Sequence, residues 1–163
     1  MIEIAIPYGT YWCTPFARWQ GSLSHLHSLR FAAHVAREAL DTRRISPKVF
    51  DYGVLGITVP QRNCFYGLPW LAGLLGAPRI GGPTIMQACA TSARVIAQAS
   101  QEIVTGQATC VLTITTDRVS NGPHVYYPNP RGPGGTGETE DWVLGNFECD
   151  PFAGCNMVTT AEN

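Results

Sequence analysis

The stretch ATSARVIAQASQEIVT, residues 90–105, decides how the rest of the chain is read. Ala93, Ile96, Ala97, Ser100, Ile103 and Val104 fall on one helical stripe, and Gly106 stands where a left-handed C-cap ends a helix. Small side chains let neighbouring backbones approach closely, so the pattern predicts a helix buried deeply between sheets. Residues 108–115 follow as a run rich in β-branched side chains, a predicted strand, and residues 83–87 lead in as an extended segment. Further upstream, residues 52–59 are apolar and bounded by turns, which predicts a buried strand. Residues 68–75 form a short apolar helix stopped by Gly76 and Pro78. Leu29, Ala32, Ala33, Ala36 and Leu40 keep helical spacing and predict a helix over residues 28–40. Ser46 before Pro47 reads as a cap that opens one short turn. Residues 2–6 alternate around Glu3 and predict a short strand, and the aromatic segment 8–21 is expected to pack on the body. Strands alternating with helices indicate an α/β fold with a mainly parallel sheet.

Composition narrows the function classes. Of 163 residues, 45% are hydrophobic and only 14% are charged, against about 25% charged in ordinary soluble domains. So apolar a chain with a net charge of −1 is not disordered. It has little material for covering a surface, so part of that surface is expected to be buried against another domain or subunit. Nucleic acid is excluded as a partner: 11 basic groups face 12 acidic ones, and Lys48 is the sole lysine. No apolar run approaches the ~18 residues of a membrane span. The six cysteines, Cys13, Cys64, Cys89, Cys110, Cys149 and Cys155, form no CxxC pair and follow no secretory leader pattern. They read as thiols in a reduced, cytoplasmic setting, with neither a disulfide framework nor a metal site.

The composition changes near Asn121. Residues 122–137 are rich in proline and glycine and read as a loop or linker, which divides the chain into a core over residues 1–121 and a second region over 122–163. The glycines at 132–137 lack the Gly-Lys-Ser/Thr ending of a phosphate loop. Residues 142–147 read as helical and 152–158 as irregular. Thr159 and Glu162 match a capping box, which predicts a helix beginning there and a longer natural chain.

Cys89 sits between the extended segment and the long helix. A thiol there meets unpaired backbone N–H groups and the positive end of the helix dipole, and both favour thiolate. The same N–H groups can receive the oxyanion of a tetrahedral acyl intermediate. The local pattern is equally satisfied by a small buried residue among Ala88, Ala90 and Ala93.

The order Met86-Gln87-Ala88-Cys89-Ala90-Thr91-Ser92-Ala93, then Ala97, Ile103 and Gly106, resembles the nucleophile segment of thiolases. Flanking stretches agree in sequence order: residues 46–53 resemble the approach to the family's second strand, 109–121 the strand and turn after the nucleophile helix, and 152–163 a loop-domain motif near the coenzyme A pocket. The departures are Met86 in place of Asn, Ala90, Thr91 and Ser92 in place of Gly and Ser-Gly, and Asn156 where the family carries His.

The resemblance implies a thiolase-like layered fold, with helices packed between mainly parallel sheets, of which this chain holds the N-terminal half. It implies a thiolase-type acyltransferase moving an acyl group between coenzyme A and Cys89, in Claisen condensation or thiolytic cleavage of 3-oxoacyl-CoA. Coenzyme A thioester is the substrate, with no permanently bound cofactor and no metal, and Asn156 and Met157 lie toward the coenzyme A site. The histidine that activates the cysteine and a second, proton-moving cysteine lie in the family's C-terminal half; His25, His27, His34 and His124 match neither motif. These 163 residues alone are therefore expected not to turn over. The segment ending at Gln87 resembles one that pairs across a dimer axis, which implies a homodimer or tetramer. Two other readings fit the same residues: a small subunit completed by a second polypeptide, and a non-catalytic thiolase-like lipid-carrier or scaffold protein.

Overall fold

The computed structural model describes residues 3–162. Its centre is a three-stranded parallel sheet in the order β2-β1-β3, made of β1 (Tyr52–Gly56), β2 (Thr84–Ile85) and β3 (Val111–Thr115). In register, Tyr52 pairs with Val111 and Gly56 with Thr115 on one side, and Leu55 pairs with Thr84 on the other. Helices cover both faces, as the alternation of elements predicts.

Alternate residues of each strand feed the two faces. Leu55 and Ile57, with Leu112 and Ile114, meet α1 (Ser28–Thr42) and α2 (Leu68–Leu75) through Leu29, Ala33, Ala36, Leu68 and Leu71. On the opposite face Val54 packs on Val95 and Ala99 of α3 (Thr91–Val104). Helix α2 ends as expected, with Gly76 in the left-handed conformation. Ser46 accepts from the Lys48 N–H and opens a 3-10 turn over Pro47–Val49.

Two glycines allow the close approaches. A Cβ on Gly56 would lie 2.7 Å from Thr91 Cγ2 and 2.9 Å from Val95 Cγ2, so α3 sits directly on the end of β1. Gly82, at φ +144°, passes against the carbonyl of Gly53 where β2 meets β1.

The sheet is also tied by carboxylates. Asp51 accepts from the Thr109 N–H at 2.9 Å, the Thr109 hydroxyl at 2.5 Å and the Cys110 N–H at 3.0 Å, joining the starts of β1 and β3. The Thr109 hydroxyl, helped by these N–H groups, holds the Asp51 carboxyl below its usual value. A carboxyl lowered by folding contributes stability above its unfolded pKa, and that contribution is lost as pH falls through the folded value. Stability should therefore decline below about pH 4. Urea midpoints measured from pH 7 downward should show a shallower acid decline in Asp51→Asn than in the parent.

Several elements differ from expectation. The residues on the expected α3 stripe are not the inward ones: Thr91, Val95 and Ala99 face the sheet, while Ala93, Ile96 and Ala97 are exposed. The helix is apolar on two sides, and the described residues cover only one of them. No strand forms over residues 3–6, and Ile2 lies outside the described residues. Ile4 and Ile6 are exposed, and a strand this short gains nothing without an edge to pair with. The aromatic segment packs only in part. Arg43 holds it by donating to the Gly9 and Tyr11 carbonyls and stacking over Trp12, while Tyr8 and Phe16 remain exposed.

The loop expected over residues 122–137 contains β4 (His124–Tyr127), which pairs antiparallel with β5 (Glu138–Asp141). Cross-strand pairing outweighs the local proline and glycine content, which falls before β4 at Gly122 and Pro123 and in the intervening turn, outside the strands themselves. Helix α4 (Leu144–Glu148) follows. The last helix, α5 (Met157–Glu162), is capped by Asn156, whose side-chain oxygen accepts from the Thr159 N–H at 2.8 Å. The capping box expected at Thr159 is thus not used, because Asn156 caps the helix one turn earlier.

Candidate active site

Parallel sheets present their ligands at the carboxyl ends of the strands. Here that edge carries the turn after β2, the segment 57–64 after β1, and Asp117 after β3. Cys89 lies on a 3-10 turn, Ala88–Ala90, that runs directly into α3. Its residue is exposed, so it is not the sealed small side chain that the local pattern left open.

Thr91 ties this turn together. Its hydroxyl accepts from the Gln87 N–H at 2.8 Å and donates to the Ala88 carbonyl at 2.7 Å, with the side chain buried. Thr91 thus braces the turn and does not cap α3, whose N-cap is Ala90 with no side-chain cap bond. Among the described residues no acceptor takes the N–H of Cys89. A thiol and an unpaired amide of the same residue thus stand together at the start of a helix. Ala88 pays for this presentation with φ +43°, a left-handed conformation that costs a non-glycine residue about 1–2 kcal/mol. Ala88→Gly should raise stability by about 1 kcal/mol in urea unfolding.

Cys13 and Cys149 are also exposed, whereas Cys64 and Cys110 are differently placed. Burial pushes the Cys64 and Cys110 thiols up, which keeps them protonated and poorly nucleophilic. His124 lies in the hairpin, exposed, with its Nε2 4.0 Å from Asp141. His27 Nε2 donates to the Arg62 carbonyl at 2.7 Å.

Beside the cysteine turn is an open cleft of about 300 Å³, walled by Ile57, Thr58, Gln61, Cys64, Met86 and Trp142 among others. Met86 is the first residue after β2 and precedes Cys89 by three positions. The Trp142 indole donates to the Thr58 carbonyl at 3.0 Å, and so fixes the hairpin region against the end of β1. Asp117 locks the same loop by accepting from Thr58 N–H at 2.9 Å and Val59 N–H at 2.7 Å. Sequence reasoning missed Asp117, Gln61 and Trp142. Their partners lie far along the chain, so no local spacing marks them. Neither Asn156 nor Met157 lines this cleft.

The family model described as "Thiolase, N-terminal domain" matches residues 11–163. The chain belongs to the thiolase family. Among curated relatives, the cytosolic acetyl-CoA acetyltransferase ERG10 of Gibberella zeae is 30% identical over 159 residues, covering 91% of this chain and 38% of that protein. The acetyl-CoA acetyltransferase of Schizosaccharomyces pombe is 28% identical over the same share of each chain. Among solved structures, an acetyl-CoA acetyltransferase from Syntrophomonas wolfei aligns with a TM-score of 0.81 at 26% identity, over 92% of this chain and 38% of that one. Human mitochondrial 3-ketoacyl-CoA thiolase in complex with CoA aligns with a TM-score of 0.78 at 25% identity, over 92% and 39%. The thiolase-like α/β fold expected from the sequence is thus observed. The chain spans well under half the length of these relatives. No helix among the described residues is long and apolar enough to cross a membrane.

Proposed function

We propose that this chain carries the acyl-accepting half of a thiolase-type acyltransferase, with Cys89 as nucleophile and coenzyme A thioester as substrate. The observation that carries the reading is the exposed Cys89 thiol paired with its own unpartnered N–H at the head of α3. The Cys89 thiolate attacks the thioester carbonyl and a new C–S bond forms. The Cys89 N–H donates to the oxyanion while the tetrahedral intermediate lasts. The carbonyl re-forms as the bond to coenzyme A sulfur breaks, and the departing thiolate takes up the proton that Cys89 released.

The acylated cysteine then serves Claisen condensation, and the reverse sequence is thiolysis of a 3-oxoacyl-CoA. The base for Cys89 and the second cysteine for the α-carbon proton come from outside these 163 residues, in a C-terminal half or a partner polypeptide. The 163-residue chain by itself does not turn over. Asn156 and Met157 approach coenzyme A in the assembled protein, a homodimer or tetramer working in the reduced cytoplasm. The uncovered small-residue side of α3 and the free edge of β2 are consistent with burial in that assembly.

The test is to incubate the assembled natural protein with acetyl-CoA, quench with acid and map the label by peptide mass. An acetyl group on Cys89 is the expected result. An assembled protein with reactive Cys89 but no acetyl label sides with the non-catalytic carrier or scaffold reading.

A further inference from the structure

Cys149 and Cys155 bracket the sequence Asp150-Pro151-Phe152-Ala153-Gly154, between α4 and α5. Acyl transfer at Cys89 uses neither of them. Pro151 fixes one φ of this loop, and Gly154, at φ +66°, supplies a left-handed turn, so the chain doubles back. The Asp150 carboxylate accepts from the Phe152 N–H at 2.7 Å and the Ala153 N–H at 3.0 Å, and the Asp150 carbonyl accepts from the Gly154 N–H at 2.7 Å. The Asp150 N–H donates to the Cys155 carbonyl at 2.8 Å and closes the loop. Residues 150–154 are thus held in a ring with a cysteine at each end.

That last bond fixes how near the two cysteines are. The Asp150 nitrogen is bonded to the carbonyl carbon of Cys149, and the accepting oxygen belongs to Cys155 itself. Trans peptide geometry across a 2.8 Å hydrogen bond sets the two Cα atoms roughly 4–6 Å apart. Disulfides span Cα separations of about 4.4–6.8 Å. Both residues are free thiols, Cys149 exposed and Cys155 half-buried. Neither sulfur is firmly held. Cys149 Sγ lies 3.7 Å from the Asp150 carbonyl oxygen and Cys155 Sγ 3.4 Å from the Thr160 hydroxyl, weak contacts that leave each side chain free to change rotamer.

We infer that Cys149 and Cys155 form a redox modification site, a dithiol that closes to a disulfide clip between the end of α4 and the start of α5 and reopens on reduction. The oxidant is a small disulfide of the glutathione type. The Cys149 thiolate, the more exposed of the two, attacks one sulfur of glutathione disulfide, which forms a mixed disulfide and releases one glutathione. The Cys155 thiolate then attacks the Cys149 sulfur and releases the second glutathione. The two cysteine protons end on the two glutathione thiolates, so one dithiol is oxidised and one glutathione disulfide is reduced. The clip acts locally. Cys149 is the C-cap residue of α4, and Asn156, which caps α5, directly follows Cys155.

The experiment equilibrates the assembled natural protein in glutathione buffers from reduced to oxidised, blocks the remaining thiols with iodoacetamide and maps the peptides by mass. In oxidised buffer the peptide holding both cysteines should carry neither alkyl group nor glutathione and should be lighter by two hydrogens. Dithiothreitol should restore both alkylations. Cys155→Ser should instead accumulate glutathione on Cys149, because the resolving thiol is gone. Amide exchange across residues 156–162 should slow by at least about threefold in the oxidised parent and stay unchanged in Cys149→Ser. Alkylation or glutathionylation of both cysteines in the oxidised parent, or linkage of either to a different cysteine, overturns the inference. A bond between Cys149 and Cys155 that leaves exchange in α5 unmoved overturns its role as a clip.

Discussion

Cys89→Ser should abolish acetyl labelling of the assembled protein and lower acyl transfer by at least about 10³-fold, the scale seen when a covalent nucleophile is removed. Serine keeps the shape of the side chain and the backbone N–H, so the oxyanion donor and the turn survive. What disappears is the sulfur atom, a far better nucleophile toward a thioester than a hydroxyl oxygen. Among the described residues the thiol has no hydrogen-bond partner, and the residue is exposed, so stability should change by less than about 0.5 kcal/mol. Peptide mapping after exposure to acetyl-CoA, together with a urea midpoint, separates the two effects. Undiminished labelling in Cys89→Ser would place the chemistry on another residue and end the proposal.

The second large effect is structural. Gly82→Ala should cost about 3–5 kcal/mol, the sum of a strained φ and an overpacked contact. The backbone at Gly82 has φ +144°, which L side chains rarely adopt. The added Cβ would also fall on the carbonyl oxygen of Gly53. Backbone cannot swing aside as a flexible side chain can, so β2 must separate from β1. The Gly53 N–H donates to the Gly81 carbonyl at 3.0 Å and the Leu55 N–H to the Pro83 carbonyl at 3.1 Å, and both bonds would weaken. Because Met86 and the Cys89 turn leave directly from β2, acyl transfer should fall with stability. Calorimetric or urea unfolding beside the labelling assay reads both, and a melting profile equal to the parent would contradict the close approach.

The exposed place of Cys89 at the head of a helix was legible because its signals are local. A β-branched run, a proline-bounded extended segment and a glycine-capped helix are encoded within a few residues of Cys89, and the thiolase-like order of motifs rests on the same short stretches. The three strands of the parallel sheet, the cap at Ser46 and the stop at Gly76 were readable for the same reason. The side of α3 that turns inward was not. Ala93, Ile96 and Ala97 make as good a stripe as Thr91, Val95 and Ala99, and only the sheet, held close by Gly56, selects the second.

Chain chemistry near each residue thus determined the helices, the parallel strands and the identity of the cysteine at the head of α3. Pairing between elements decided much of the rest. The hairpin of β4 and β5 overrode a proline-rich composition, and the expected strand at the start formed no pairing among the described residues. The cleft beside Cys89 is of this kind too. Its Gln61 is set by Ser28 and its Trp142 by Thr58, contacts spanning 33 and 84 positions, and such contacts follow from three-dimensional packing and leave no periodic trace in the chain.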